Sequence, residues 1–165
     1  MRMAAHVWNL RSQRSFRVID RAVRGSQRGG AFRVVHFTIL GNHLHAIVEA
    51  NGDRSFESGM RSLTLRLALG LNALMGRKGP VLAGRFHAHV LRTPAEVANA
   101  LRYVLGNFEN HAVRRGELAS TSEWIDPFSS ASGKTPREAQ TSLFTEPATS
   151  TPRGWLLRRG ERRTG

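Results

Sequence analysis

The 165-residue chain contains no cysteine, which excludes disulfide bonds, thiolate catalysis and cysteine-based zinc sites. It also lacks an apolar stretch long enough for a membrane span or a signal peptide, so we expect a cytoplasmic protein with no membrane partner. Tyrosine occurs once, at Tyr103, and lysine twice, at Lys78 and Lys134. Acidic residues number 12 against 25 lysines and arginines, so the charge balance of an ordinary metabolic enzyme is absent.

Arginine supplies nearly all of the positive charge. The formal net charge is +13, and an excess of this size indicates a polyanionic partner. Arginine forks bind phosphate in bidentate fashion and stack on bases, so the composition favours a nucleic acid. A genome rich in G and C would also raise arginine over lysine, but it would not explain the excess of basic over acidic residues.

Hydrophobic periodicity predicts seven elements in the order β, α, β, β, α, β, α. Strands are expected at 4–10, 31–40, 43–50 and 85–92, and the turn residues Gly41-Asn42 join the middle two as an antiparallel hairpin. One helix should open at Ser15 and end at the run GSQRGG, and a second should carry the apolar stripe from Met60 to Leu74. A third should run from the capping box Thr93-Pro94-Ala95-Glu96 to about Arg115. This order predicts an α+β fold, a ferredoxin-like (split βαβ) antiparallel sheet with one extra helix.

The composition changes near Ser129, after which Ser, Thr, Pro and Ala dominate. We therefore expect one catalytic or binding domain over 1–130, followed at 131–165 by a Ser/Thr/Pro-rich linker and a basic C-terminal tail. The tail ends in GWLLRRGERRTG, and the sequence leaves open whether this end docks on the domain or on DNA. Truncation after Ser130 is expected to leave the fold intact.

Two His-X-His spacings are candidate metal sites. Side chains alternate across a strand, so His43 and His45 should project from one face, where two imidazoles can chelate one divalent ion. A lone spacing of this kind is a weak signal, and His87 and His89 form a second pair. The first pair is favoured by its position on a strand after a turn. Glu49, on the same strand face, is either a rival ligand or a solvated strand end.

The second histidine pair has two interpretations, as DNA contacts or as exposed strand residues. The neighbouring Arg85 and Arg92 favour DNA contacts for His87 and His89. Some subset of the remaining arginines should form the phosphate-binding face, and the candidates are Arg61, Arg66, Arg77, Arg114 and Arg115.

Five segments resemble, in the same order, the REP-associated tyrosine transposases and their insertion-sequence relatives, which are single-tyrosine HUH nucleases. The resemblance covers residues 4–131, and its segments are His6-Val7, Gly41-Asn42-His43-Leu44-His45-Ala46-Ile47-Val48, Gly84-Arg85-Phe86 with His89-Val90, Leu101-Arg102-Tyr103-Val104-Leu105-Gly106-Asn107, and Trp124 with Asp126-Pro127-Phe128-Ser129-Ser130. Relatives commonly carry Asn-Pro after the nucleophile, whereas Phe108 follows Asn107 here, so nothing in this sequence ends the helix at that point.

The resemblance implies HUH-nuclease topology with Tyr103 as nucleophile on the extra helix, and a divalent metal, Mg²⁺ or Mn²⁺, held by His43, His45 and Asn107. It implies that the enzyme cuts and rejoins single-stranded or hairpin DNA by transesterification through a 5′-phosphotyrosine. Some relatives act as dimers, so a homodimer is a further expectation.

The third helix offers an independent test of this interpretation. At about 100° per residue its apolar residues share one face, and Tyr103 lies off that face, one turn before Asn107. A tyrosine packed at a helix–sheet boundary is the alternative. Two rival functions follow from the same residues: a non-catalytic DNA- or RNA-binding module on the same fold, and a structural or partner-binding protein whose histidines hold zinc.

Overall fold

A computed structural model describes residues 1–114, 126–130 and 148–163, with the backbone alone for 107–114. The fold is α+β, and within the described residues it comprises a two-stranded antiparallel sheet and four helices. In chain order these elements are α1 (Gln13–Ser26), β1 (Phe32–Ile39), β2 (Leu44–Ala50), α2 (Asp53–Leu74), α3 (Pro94–Arg114) and α4 (Trp155–Glu161).

The predicted hairpin is confirmed, with β1 and β2 paired from Phe32 opposite Ala50 to Ile39 opposite Leu44. The register shifts between Val34 and His36, so one residue of β1 is left out of the pairing and the alternation of faces is interrupted there. As a result Phe37 and Ile39 after the shift face the same hydrophobic cluster as Phe32 and Val34 before it, whereas Val35 is buried in the cluster on the other side of the sheet.

The helices cover both faces of this hairpin. On one face α1 and α2 bury Phe16, Ile19, Leu63 and Leu67 in the larger cluster, which also contains Phe37 from β1. Close approach of α2 to β1 depends on glycine, because a Cβ at position 59 would lie 2.0 Å from the Phe32 side chain. On the other face α3 and α4 pack against Val35 and Ile47 through the buried residues Val97, Leu101, Val104 and Leu157.

The helix boundaries follow local capping chemistry. The N-terminus of α1 lies two residues before the predicted Ser15, because the Ser12 side chain accepts the backbone N–H of Ser15 and acts as N-cap. The capping box of α3 is confirmed: Thr93 Oγ1 accepts the Glu96 N–H at 3.2 Å, and the Glu96 carboxylate accepts the Thr93 N–H at 3.0 Å.

The two outer strands predicted at 4–10 and 85–92 are wrong, since neither segment is a strand. Trp8 and Val90 are exposed, and Leu10 is the one buried residue of the two segments, so neither has a row of alternate buried side chains that would hold it in register. Backbone pairing occurs just before each segment instead, where Met3 bridges Leu82 and Arg2 bridges His43, both in antiparallel orientation.

The C-terminal residues 148–163 dock on the domain. Leu157 of α4 is buried against α3, and Gly160 lies so close to Val97 that a Cβ there would be 2.2 Å from Val97 Cγ1. His36 of β1 also contacts Glu161, with 2.8 Å between Nε2 and Oε1. This docking changes the expectation for truncation after Ser130, because the shortened chain would lose part of a buried cluster. The domain boundary at residue 130 stays a prediction.

Candidate functional site

Two histidines stand on the face of the sheet that carries α3. The rings of His43 and His45 are nearly parallel, with 11° between their planes and 6.0 Å between their centroids. Leu44, between them, is buried on the opposite side in the larger hydrophobic cluster. Strand alternation therefore gives the arrangement expected from the sequence, with both imidazoles on one face.

Tyr103 is brought to the same place by the packing of α3. Leu101 and Val104 are buried against the sheet, and this rotation of the helix leaves the Tyr103 side chain 56% exposed, off the apolar stripe as predicted. Its ring contacts His45 edge-on, with the centroids 5.4 Å apart and the planes at 86°. The single tyrosine and the histidine pair thus form one cluster that is open to solvent.

His43 is oriented by its neighbour Asn42, which belongs to the predicted turn and was not among the predicted site residues. The Asn42 Oδ1 lies 2.6 Å from His43 Nδ1, so that nitrogen donates and the lone pair stays on Nε2. Burial, the N-terminal ammonium group and Arg2 all lower the pKa of His43 from its ordinary value. The neutral, lone-pair-bearing form is the one that binds a metal ion.

The cluster supplies two of the ligands that a divalent metal ion would need. Two imidazoles are present, and the hydrogen bond from Nδ1 of His43 is the kind of outer contact that fixes a histidine ligand. Among the described residues no group of three or more His, Cys, Asp or Glu side chains could hold a metal. Asn107 follows Tyr103 by one turn of α3, but its side chain is outside the described part, so its role as third ligand stays a prediction.

Glu49, the rival ligand, is engaged elsewhere. Its carboxylate lies 3.2 Å from the Arg33 guanidinium, and it accepts the backbone N–H groups of Arg153 and Gly154 at 2.9 and 2.8 Å. Glu49 is therefore neither a solvated strand end nor an available ligand in this structure. It connects β2 to the start of α4.

The residues predicted to contact DNA lie before α3 and at its end. Arg85, His87, His89 and Arg92 are exposed on the irregular segment before α3. The charge of His89 helps to lower the pKa of Glu96, which places this histidine near the N-terminal end of the helix, two turns before Tyr103. Arg114 ends α3, and its side chain lies outside the described part.

The motif segment after α3 has a structural role along the edge of β1. Asp126 is buried and binds Arg11 through two bonds of 2.8 and 3.0 Å, and Ser130 Oγ accepts the Phe37 N–H at 3.1 Å. Ser129 forms a backbone bridge with Thr38. Trp124, from the same motif, lies outside the described residues.

No helix in the described ranges is long and apolar enough to cross a membrane. Comparison of the chain with protein-family models, with curated proteins and with solved structures finds no match in any of the three.

Proposed function

We propose that this chain is a metal-dependent single-tyrosine HUH transposase, which cuts and rejoins single-stranded DNA at hairpin sequences. The observation that carries the proposal is the cluster of His43, His45 and Tyr103, whose rings are 6.0 and 5.4 Å apart in succession. These side chains come from two distant parts of the sequence. Tyr103 is more than half exposed, so a DNA strand could reach its ring from solvent.

The order of backbone pairings supports the ferredoxin-like part of the proposal. Leu82 pairs with Met3, Arg2 with His43 at the start of β2, and β2 with β1, all antiparallel. The segment before α1 therefore runs parallel to β1 with the start of β2 between them, as a split βαβ arrangement would require. Both connecting helices lie on one face, and the cluster lies on the other.

His43, His45 and, by the resemblance, Asn107 are the residues that would hold Mg²⁺ or Mn²⁺. A bound divalent ion would polarise the scissile phosphate and stabilise charge on its oxygens. Imidazole ligands favour Mn²⁺ over Mg²⁺, and an amide oxygen suits either ion. Asn42 keeps the Nε2 of His43 in the basic form through its contact with Nδ1.

Tyr103 supplies the nucleophile. Its phenol oxygen forms a bond to the scissile phosphorus as the bond from phosphorus to the 3′ oxygen breaks, which gives a 5′-phosphotyrosine and a free 3′-OH. The phenol loses a proton to solvent and the departing 3′ oxygen gains one. One phosphodiester replaces another, so a DNA hydroxyl can reverse the step without an external energy source. The edge contact with His45 holds the ring in place for this attack.

The test is formation of a covalent adduct. Hairpin DNA with single-stranded flanks, labelled at the 3′ end, is incubated with the protein in Mn²⁺ or Mg²⁺ and resolved under denaturing conditions. We expect a protein-linked label for the wild type and none for Tyr103→Phe, with DNA binding and thermal stability nearly unchanged, since the lost hydroxyl opens no core cavity. Trp155→Phe, at an exposed aromatic residue of α4, is the matched control and should retain the adduct.

His43→Ala separates the metal site from the nucleophile. It should reduce adduct formation, and raising the pH should not restore it, because the lost group is a ligand rather than a titrating base. Adduct formation by Tyr103→Phe would overturn the mechanism, since the chain has no second tyrosine. DNA binding by the wild type without an adduct in either metal would favour the non-catalytic binding module.

A further inference from the structure

The outer face of α1 carries a row of arginines that the cluster around Tyr103 does not use. Arg14, Arg17, Arg21 and Arg24 follow one another at intervals of three and four residues, which places them within about 80° on the helix surface. All four are exposed, while the apolar residues of α1 are buried on the opposite side. We call this row the α1 arginine stripe.

Three of the four stripe arginines, Arg14, Arg17 and Arg21, do not stabilise the helix that carries them. Like charges three and four residues apart repel one another, and positive charge in the first turns opposes the helix dipole. Arg24 forms an ion pair with Asp20, but Arg14, Arg17 and Arg21 have no ion-pair partner within the described ranges. Elsewhere the fold pairs a buried arginine with a carboxylate, as with Arg33 and Glu49.

A fifth guanidinium reaches the stripe from α2. The side chain of Arg66 lies across α1 at Gly25, where an added Cβ would be 2.7 Å from its Nη1. Gly25 borders the stripe on the helix surface. The packing of the two helices thus adds positive charge to a surface that is already positive, and an anionic partner would offset the resulting repulsion.

We propose that the α1 arginine stripe binds the phosphate backbone of double-stranded DNA, such as the stem of a hairpin. From Arg14 to Arg24 it extends about 15 Å, the axial length of roughly four phosphates on one strand. Single strands are usually held by exposed aromatic platforms, and the one aromatic residue of α1, Phe16, is buried. A membrane surface would require exposed apolar residues beside the arginines, and those of α1 face the core.

The position of the stripe separates it from the candidate site. It lies on the outer side of the α1 and α2 layer, and Tyr103 lies across the sheet from that layer. The stem would be held on one side of the molecule and the single strand on the other. The inference that the ligand is DNA rests on the proposed function, whereas the inference that it is double-stranded rests on the composition and length of the stripe.

The test compares two triple variants of the full chain that remove the same charge. Arg14→Gln/Arg17→Gln/Arg21→Gln changes the stripe, and Arg158→Gln/Arg159→Gln/Arg162→Gln changes exposed arginines in α4 and directly after it. Both are built on Tyr103→Phe and measured in EDTA, so the result does not depend on nuclease activity. Fluorescence anisotropy gives the affinity for blunt duplex DNA over a range of salt concentrations.

We expect the stripe variant to bind duplex DNA at least tenfold more weakly at about 0.1 M salt, and its salt slope to fall by roughly 2.7, or 0.9 for each lost phosphate contact. The α4 variant should change far less. Arg14→Lys/Arg17→Lys/Arg21→Lys keeps the charge and should keep most of the salt slope. Circular dichroism and thermal melting should show an unchanged fold.

Equal losses in the stripe and α4 variants would overturn the proposal, because net charge alone would then explain binding. An unchanged stripe variant would do so as well. Tighter binding of duplex RNA than of duplex DNA, or a loss confined to single strands, would assign the stripe to a different partner.

Discussion

Asn42 is an exposed side chain whose amide oxygen holds the His43 ring. We predict that Asn42→Ala weakens Mn²⁺ binding by about 10- to 100-fold, the usual cost of removing an outer partner of a metal ligand. The melting temperature should hardly change, since little buried surface is lost. Isothermal titration with Mn²⁺ and a thermal melt measure the two effects. Asn99→Ala, at an exposed asparagine of α3, is the control, and an equal loss there would contradict the role of Asn42.

The ion pair between Glu49 and Arg33 should contribute to the stability of the protein. The side chains of Arg33 and Glu49 are only 8% and 11% exposed, so removal of the carboxylate leaves a nearly buried guanidinium without its partner. We predict that Glu49→Ala lowers the free energy of unfolding by about 3–5 kcal/mol, measured by urea denaturation. Glu57→Ala, at an exposed glutamate of α2, should have almost no effect.

The affinity of Glu49→Gln for Mn²⁺ tests whether Glu49 is a metal ligand. If Glu49→Gln remains folded but loses Mn²⁺ binding, the carboxylate is a ligand after all. We expect Mn²⁺ binding to persist, because both carboxylate oxygens already accept hydrogen bonds from Arg33 or from the backbone N–H groups of Arg153 and Gly154.

The capping contacts at the N-terminus of α3 should make the stability of the protein depend on pH. The backbone N–H groups of Arg92 and Thr93 donate to Glu96 and lower its pKa below the ordinary value of 4.5. A group whose pKa is lower in the folded state stabilises above its unfolded pKa, and this contribution is lost as the pH falls through the folded pKa. Wild type should therefore be more stable than Glu96→Gln at pH 7, and the difference should shrink as the pH is lowered below 4.5. A difference in melting temperature that stays constant down to pH 3 would contradict this role.

The contact between α3 and α4 depends on a glycine. We predict that Gly160→Ala destabilises the protein by about 1–3 kcal/mol, because the new methyl group would overlap Val97, whose Cγ1 lies 2.2 Å away. Arg159→Ala, at an exposed position of the same helix, should be close to neutral. The double variant Gly160→Ala/Val97→Ala should lose less than the sum of its single changes in chemical denaturation. Additive losses would show that the two residues do not interact.

At the scale of the whole molecule, the stripe and the Tyr103 cluster lie on opposite sides of the sheet. A hairpin bound at both must carry a single-stranded flank long enough to pass around the sheet edge. We predict that stepwise shortening of the flank abolishes the covalent adduct at a threshold length, while affinity for the stem persists. Adduct yield that is independent of flank length would show that one surface serves both parts of the DNA.

The features that the sequence alone predicts are those set by interactions between residues close together in the chain. The β1–β2 hairpin, the capping box at Thr93 and Glu96, and the exposed position of Tyr103 all depend on alternation, capping or helical period within a few residues. Such features can be predicted without knowing what packs against them. The His43 and His45 pair belongs to this class, because alternation alone puts both rings on one face.

Tertiary structure decided the rest, because it depends on contacts between distant parts of the chain. Polar and apolar residues alternate in the segment 85–92 as in a strand, but none of its residues is buried. Leu82, which precedes the segment, forms the backbone bridge with Met3 instead. The docking of α4 needs the fit of Gly160 to Val97, and Glu49 is bound by groups more than 100 positions away in the sequence. The contact of Tyr103 with His45 likewise depends on how α3 lies across the sheet, since a periodic pattern gives a residue its face but not its partner.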